Sequence, residues 1–215
     1  MAKVKVSKKS TRIDMTAMCD VAFLLLSFFI MSATAKQPEP HPVDTPNSTV
    51  IEKLPPEVAV ITVGDGQAYF NIPGKEVRIE TLKRISSEYN VAFTEEEYEA
   101  FGNLQGFGVP LNQLKGLLAM EASERNSDNI QKGIPFDTVN NQLGSWVKQA
   151  REANRAILDE KIASGEEVEE YKDLDIAIKG DAEEDYPTVK RVIDILQEQK
   201  KNRFFLVTGL RNEDF

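Results

Sequence analysis

The sequence predicts an α+β protein in three parts: a single N-terminal transmembrane helix, a Pro-rich linker, and a two-layer α/β domain with a long helical middle region. Three observations carry this. The run MTAMCDVAFLLLSFFIMSATA at residues 15–35 holds one charged residue, Asp20. Six of the ten prolines (Pro38, Pro40, Pro42, Pro46, Pro55, Pro56) crowd into residues 36–57. Beyond them, β-prone runs flank a stretch with helical periodicity.

Length and charge bound the possibilities. A chain of 215 residues builds one or two domains with a sizeable core. Its 26 Lys and Arg against 35 Asp and Glu give −9, which argues against a surface that neutralises nucleic acid phosphates. Residues 1–35 hold five basic residues and two acids, a balance of +3, which leaves −12 for the rest. A basic tip, an apolar run and an acidic body read as a membrane-targeted chain. Cys19 is the only cysteine, so no internal disulfide and no thiolate metal cluster can form.

A membrane span needs about 20 residues at ~1.5 Å each to cross a ~30 Å hydrocarbon core. Residues 21–35 alone reach only about 22 Å, so a spanning helix recruits residues 15–19 and draws Asp20 into the bilayer. An acid there costs roughly 2.5–3.5 kcal/mol, and each central Leu, Ile, Phe or Val returns about 0.3–0.6 kcal/mol. An intramembrane acid marks a functional site by default. Thr16, Asp20, Ser27 and Thr34 follow one another at intervals of 4, 7 and 7 residues, which places them along one helix face. The bland alternative for Ser27 and Thr34 is that their hydroxyls bond their own backbone. Five basic residues precede the span and Lys36 alone follows it within fifteen residues, so the N-terminus is expected in the cytoplasm. A cleaved signal peptide competes with this reading, since a basic tail, an apolar core and Ala33-Thr34-Ala35 satisfy its pattern.

The segment RIDMTAMCDVAFLLLSFFIM, residues 12–31, resembles the N-terminal span of the ExbD/TolR family. A second segment, IAIKGDAEEDYPTVKRVIDILQEQKKNRFFLVTGL at residues 176–210, resembles that family's closing strand, acidic loop, helix and strand. The resemblance implies a short cytoplasmic tail at residues 1–14, a helix at 15–35, a periplasmic linker at 36–57 and a periplasmic domain at 58–215. It places Asp20 on the family's membrane carboxylate, which takes up and releases protons, with Asp14 and Thr16 as its polar lead-in. Ala17 stands where the family usually has proline. Residues from about 74 to 172 exceed the compact family domain and read as an insertion.

Within the linker, proline-rich chain extends at about 3.1 Å per residue, a semi-rigid tether reaching up to ~70 Å. His41 is the only histidine, which removes any multi-histidine metal site or His-based triad, and it reads as a solvated loop residue. Residues 49–55 are expected to pair as a short strand with another chain, as the resemblance implies. Residues 58–72 read as a hairpin around Gly64-Asp65-Gly66. Helices are expected at 81–90, at 94–101 with a Thr94 cap and three glutamates in its first turn, at 109–120 and at 140–163. Gly102, Gly106 and Gly108 read as a loop, because no strand precedes them. Trp146 reads as core, and the glutamates of 166–170 as solvated surface. The chain closes with a strand at 174–178, a polar loop, a helix with Pro187 near its first position, and a strand at 204–207. The loop acids Asp181, Glu183, Glu184 and Asp185 read as caps and surface charge before they read as a metal site.

These expectations converge on a non-enzymatic, proton-driven subunit of the bacterial inner membrane, with protons as coupling ion and no bound cofactor. Its expected partners are an ExbB-like multi-span channel protein, a TonB-like protein and a second copy of itself as a homodimer, without nucleic acid. A TolR-like envelope subunit is the nearest alternative. A secreted binding protein released after Ala35 is the more distant one.

Overall fold

The computed structural model describes residues 15–32, 39–49, 54–55, 57–127, 130–165 and 173–210. The chain divides into two compact units, Met1–Gln37 and Pro38–Phe215. In the first unit, α1 spans Met15–Ser32 and buries none of its side chains within the protein.

The second unit begins with β1 (Asn47–Ser48), then the hairpin β2 (Val58–Gly64) and β3 (Gln67–Asn71). The hairpin forms where the sequence predicts it. Asp65 and Gly66 occupy its turn with φ of 53° and 72°, a pair of left-handed conformations that this tight turn requires. Next come α2 (Lys75–Tyr89), α3 (Glu95–Gly102), α4 (Leu111–Ala119), the single turn α5 (Ala122–Arg125) and the long α6 (Gln142–Ser164). The chain closes with β4 (Asp175–Gly180), α7 (Tyr186–Glu198), β5 (Phe205–Val207) and β6 (Gly209–Leu210).

The main sheet has the order β3-β2-β4-β5, with β3 antiparallel to β2 and the other pairs parallel. Register explains its two faces. Ala59, Ile61 and Val63 alternate with half-buried Val58, Val60 and Thr62. Their partners Ile176 and Ile178 on β4, and Ala68 and Phe70 on β3, share the inner side. That side meets the helices in one core with Leu82 and Ile85 of α2, Trp146 and Val147 of α6, and Val192 and Leu196 of α7. Sheet and helices thus form two layers.

The helical middle is closed by local chemistry. Thr94 accepts from the Glu97 N–H while Glu97 accepts from the Thr94 N–H, a reciprocal cap on α3. Phe101, Phe107 and Trp146 stack and edge against each other at centroid distances of 4.7–5.7 Å. The 103–110 loop also seals the outer edge of β3. Phe107 exchanges backbone hydrogen bonds with Phe70, and the Ile134 N–H donates to the Ala68 carbonyl. Gly108 is needed there, because a Cβ would lie 2.0 Å from the Tyr69 ring.

Two expectations change. Helix α2 starts at Lys75, six residues earlier than expected, so Thr81 does not open it. It is fully buried in mid-helix, where its hydroxyl donates to the Val77 carbonyl. Residues 39–49 are not a free tether but lie against the domain. The linker strand that forms is Asn47–Ser48, paired in parallel with Gly209–Leu210 of the same chain. Of the strand expected at 49–55 to pair with another chain, residues 50–53 lie outside the described residues, as do the glutamates of 166–170.

Candidate functional site

Helix α1 is built from Leu, Phe, Ile, Met, Ala and Val with a few small polar residues, so it is apolar nearly all round. At ~1.5 Å per residue its 18 residues extend about 27 Å, close to the hydrocarbon thickness. It is long and apolar enough to cross a membrane. Asp20 is its sixth residue, about 8 Å from its N-terminal end at ~1.5 Å per residue. The helix contains no Lys or Arg, so Asp20 is its one charged side chain.

At about 100° per residue, Thr16, Asp20 and Ser27 fall within an arc of roughly 40° on one face of α1. Thr34, the fourth member of the expected stripe, lies outside the described residues. Ser32, off that stripe, donates its hydroxyl to the Phe28 carbonyl at 2.6 Å, which shows how a hydroxyl is satisfied inside such a helix.

The acidic loop before α7 serves the backbone. Asp181 accepts from the N–H groups of Asp44 at 3.3 Å and Glu183 at 2.9 Å, and Glu184 accepts from the Gly66 N–H at 3.0 Å. Asp185 occupies the cap position of α7 without a side-chain cap bond, and Pro187 sits in the first turn as expected.

Two groups of interacting side chains are invisible to motif reading. One joins α6 to the starts of β4 and β5: Asp173 accepts from Arg151 and Lys201, each at 3.0 Å, and Lys201 also lies 3.7 Å from Asp175. Burial alone raises the Asp173 pKa, but the hydrogen bonds and charges of Arg151 and Lys201 outweigh it and hold the carboxyl below its ordinary 3.8. The only advance signal is an Asp-x-Asp at the head of a predicted strand. The other group ties the linker to the sheet: His41 stacks on Tyr69 with centroids 5.0 Å apart and planes 4° from parallel. Burial, then the Asp65 charge, raises the Tyr69 pKa, so this ring stays neutral. His41 is therefore not the solvated loop residue expected.

The sequence matches the family model described as Biopolymer transport protein ExbD/TolR over residues 7–210. That match runs from before α1 to the end of β6. The chain belongs to the ExbD/TolR family. No curated protein and no solved structure matched it. ExbD/TolR proteins are membrane-associated, non-enzymatic subunits of biopolymer transport that work with membrane partners in the TonB and Tol systems. The α+β architecture, with one apolar N-terminal helix and a sheet-containing C-terminal domain, is consistent with an ExbD-like fold.

Proposed function

We propose that this ExbD/TolR protein is the ExbD-like subunit of a proton-driven motor, held in the bacterial inner membrane by α1 with its N-terminus in the cytoplasm. The observation that carries the reading is Asp20, the lone charge in α1. Ionised, the carboxyl resists the bilayer by roughly 2.5–3.5 kcal/mol; protonated, it loses that charge penalty. The face bearing Thr16, Asp20, Ser27 and Thr34 then prefers a water-lined surface in one state and an apolar surface in the other. An ExbB-like multi-span partner that offers both surfaces converts proton passage into rotation or rocking. Each proton moving inward down 100 mV supplies about 2.3 kcal/mol. The homodimeric domain passes the motion to a TonB-like protein for outer-membrane uptake, and protons are the coupling ion with no other cofactor.

The test has two parts. Asp20→Asn is expected to leave the protein in the membrane and abolish energy-dependent uptake; normal uptake in that variant overturns the proton role. Proteins that co-purify from detergent-solubilised membranes decide the system: an ExbB-like channel with a TonB-like protein supports the proposal, and Tol-type partners replace it with the TolR-like role. A mature N-terminus at Lys36 would remove the span altogether and support a secreted domain.

A further inference from the structure

Residues 39–48 leave the membrane unit and lie across the domain by discrete attachments. The Lys179 ammonium of β4 donates to the Glu39 carboxylate. His41 stacks on Tyr69, and its Nε2 lies 3.5 Å from the Asp65 carboxylate. The Asp44 carbonyl accepts from the Ala182 N–H at 2.8 Å, and the Pro46 carbonyl from the Gly209 N–H at 3.0 Å. Burial alternates along the segment: His41, Val43 and Thr45 are half-buried, whereas Pro42, Asp44 and Pro46 are exposed. The segment therefore lies with one side down, as a strand does.

Apart from Asn47–Ser48, it is nevertheless not a strand, and no part of it joins the main sheet. Pro40, Pro42 and Pro46 have no N–H, so a continuous ladder cannot form along it. None of its residues joins the hydrophobic core. What holds it is a few partly exposed polar contacts, one ring stack and the two-residue pairing of Asn47–Ser48 with Gly209–Leu210, each of small net worth. Proline also keeps the segment extended whether docked or free, so release changes its chain entropy little.

We infer that residues 39–48 are a releasable strap, seated at Gly64 by His41 and Val43, whose detachment adds about 30 Å of reach to the tether at ~3.1 Å per residue. Gly64 makes the seat. A Cβ there would lie 2.7 Å from Val43 Cγ1 and 2.9 Å from His41 Nε2, both on the strap. The strap needs α1 to remain attached for its length to matter, but its docking is independent of any proton role for Asp20.

The experiment is hydrogen exchange with mass spectrometry on the full chain in nanodiscs, comparing wild type, Gly64→Ala and His41→Ala. Both variants are expected to speed exchange in residues 43–48 by about fivefold or more, the loss of roughly one net contact, while β2 and β4 stay within about twofold. Unchanged exchange of the strap in either variant overturns the latch, as does a rise shared equally by β2 and β4, which would make the segment part of the cooperative fold. A spin label on Cys19 and a second on Val139→Cys read the reach. Release is expected to lengthen and broaden that distance distribution, and an unmoved distribution in both variants overturns the change in tether length.

Discussion

Asp20 and Asp173 are both aspartates at the edge of an apolar region, and the chain provides for them in opposite ways. Asp173 stands at the head of a sheet strand with Arg151 arriving from α6 and Lys201 from the turn before β5. Asp20 stands on a helix with no basic residue. The same contrast holds for the apolar residues around them. Phe23, Leu24 and Phe29 of α1 are more than half exposed, while Phe70, Phe101 and Trp146 of the domain are buried to 1%. An acid compensated by its own fold is a structural joint. An acid on a helix that supplies no basic partner of its own has no such joint to make within α1.

The largest expected effect breaks this comparison on one side only. Asp20→Asn should remove all coupled uptake yet leave the melting temperature of the domain unchanged, as calorimetry on the purified chain would read. A fall in melting temperature would mean that Asp20 has a structural role after all. On the other side, Lys201→Met should cost about 3 kcal/mol of domain stability, because its side chain is 9% exposed and Asp175, 7% exposed, loses a cation. Denaturant titration measures that loss, and a cost below about 1 kcal/mol would place the ion group among weak surface pairs.

Titration sharpens the contrast further. The Asp173 pKa is lower in the folded state than its ordinary 3.8, so its contribution is present above that value and disappears as pH falls through the folded pKa. The side chain is 43% exposed, so screening limits the effect to less than about 1 kcal/mol. Stability measured from pH 6 to pH 2.5 should fall more steeply in the wild type than in Asp173→Asn; parallel curves would exclude this linkage. The smallest effect expected is that of Ser27→Leu, a partial loss of uptake with normal membrane insertion. Full uptake would reduce the polar face of α1 to Asp20 alone.

Sequence reading reached those parts of the domain whose signals are local. Asp65-Gly66 specifies a hairpin turn, Thr94 with Glu97 specifies a helix start, and Pro187 opens α7. It failed where a residue type has two uses. Thr81 reads as the start of a helix, but its hydroxyl bonds back to Val77, and the helix begins a turn and a half earlier. Pro-rich chain looks like free tether, but residues 39–48 dock through His41, Asp44 and Pro46. The ion group of Arg151, Asp173, Asp175 and Lys201 joins residues up to 50 positions apart, and its one local trace is Asp173-Leu174-Asp175. The helix that carries Thr16, Asp20 and Ser27 was legible from its apolar run.

The sealing of β3 limits how this sheet can grow. With Phe107 bonded to Phe70, and Ile134 to Ala68, that flank offers no free row of backbone groups to an incoming strand. Among the described residues, β5 is the opposite margin of the main sheet. Along this stretch of β3, edge-to-edge pairing with a further strand is therefore blocked by the protein's own backbone.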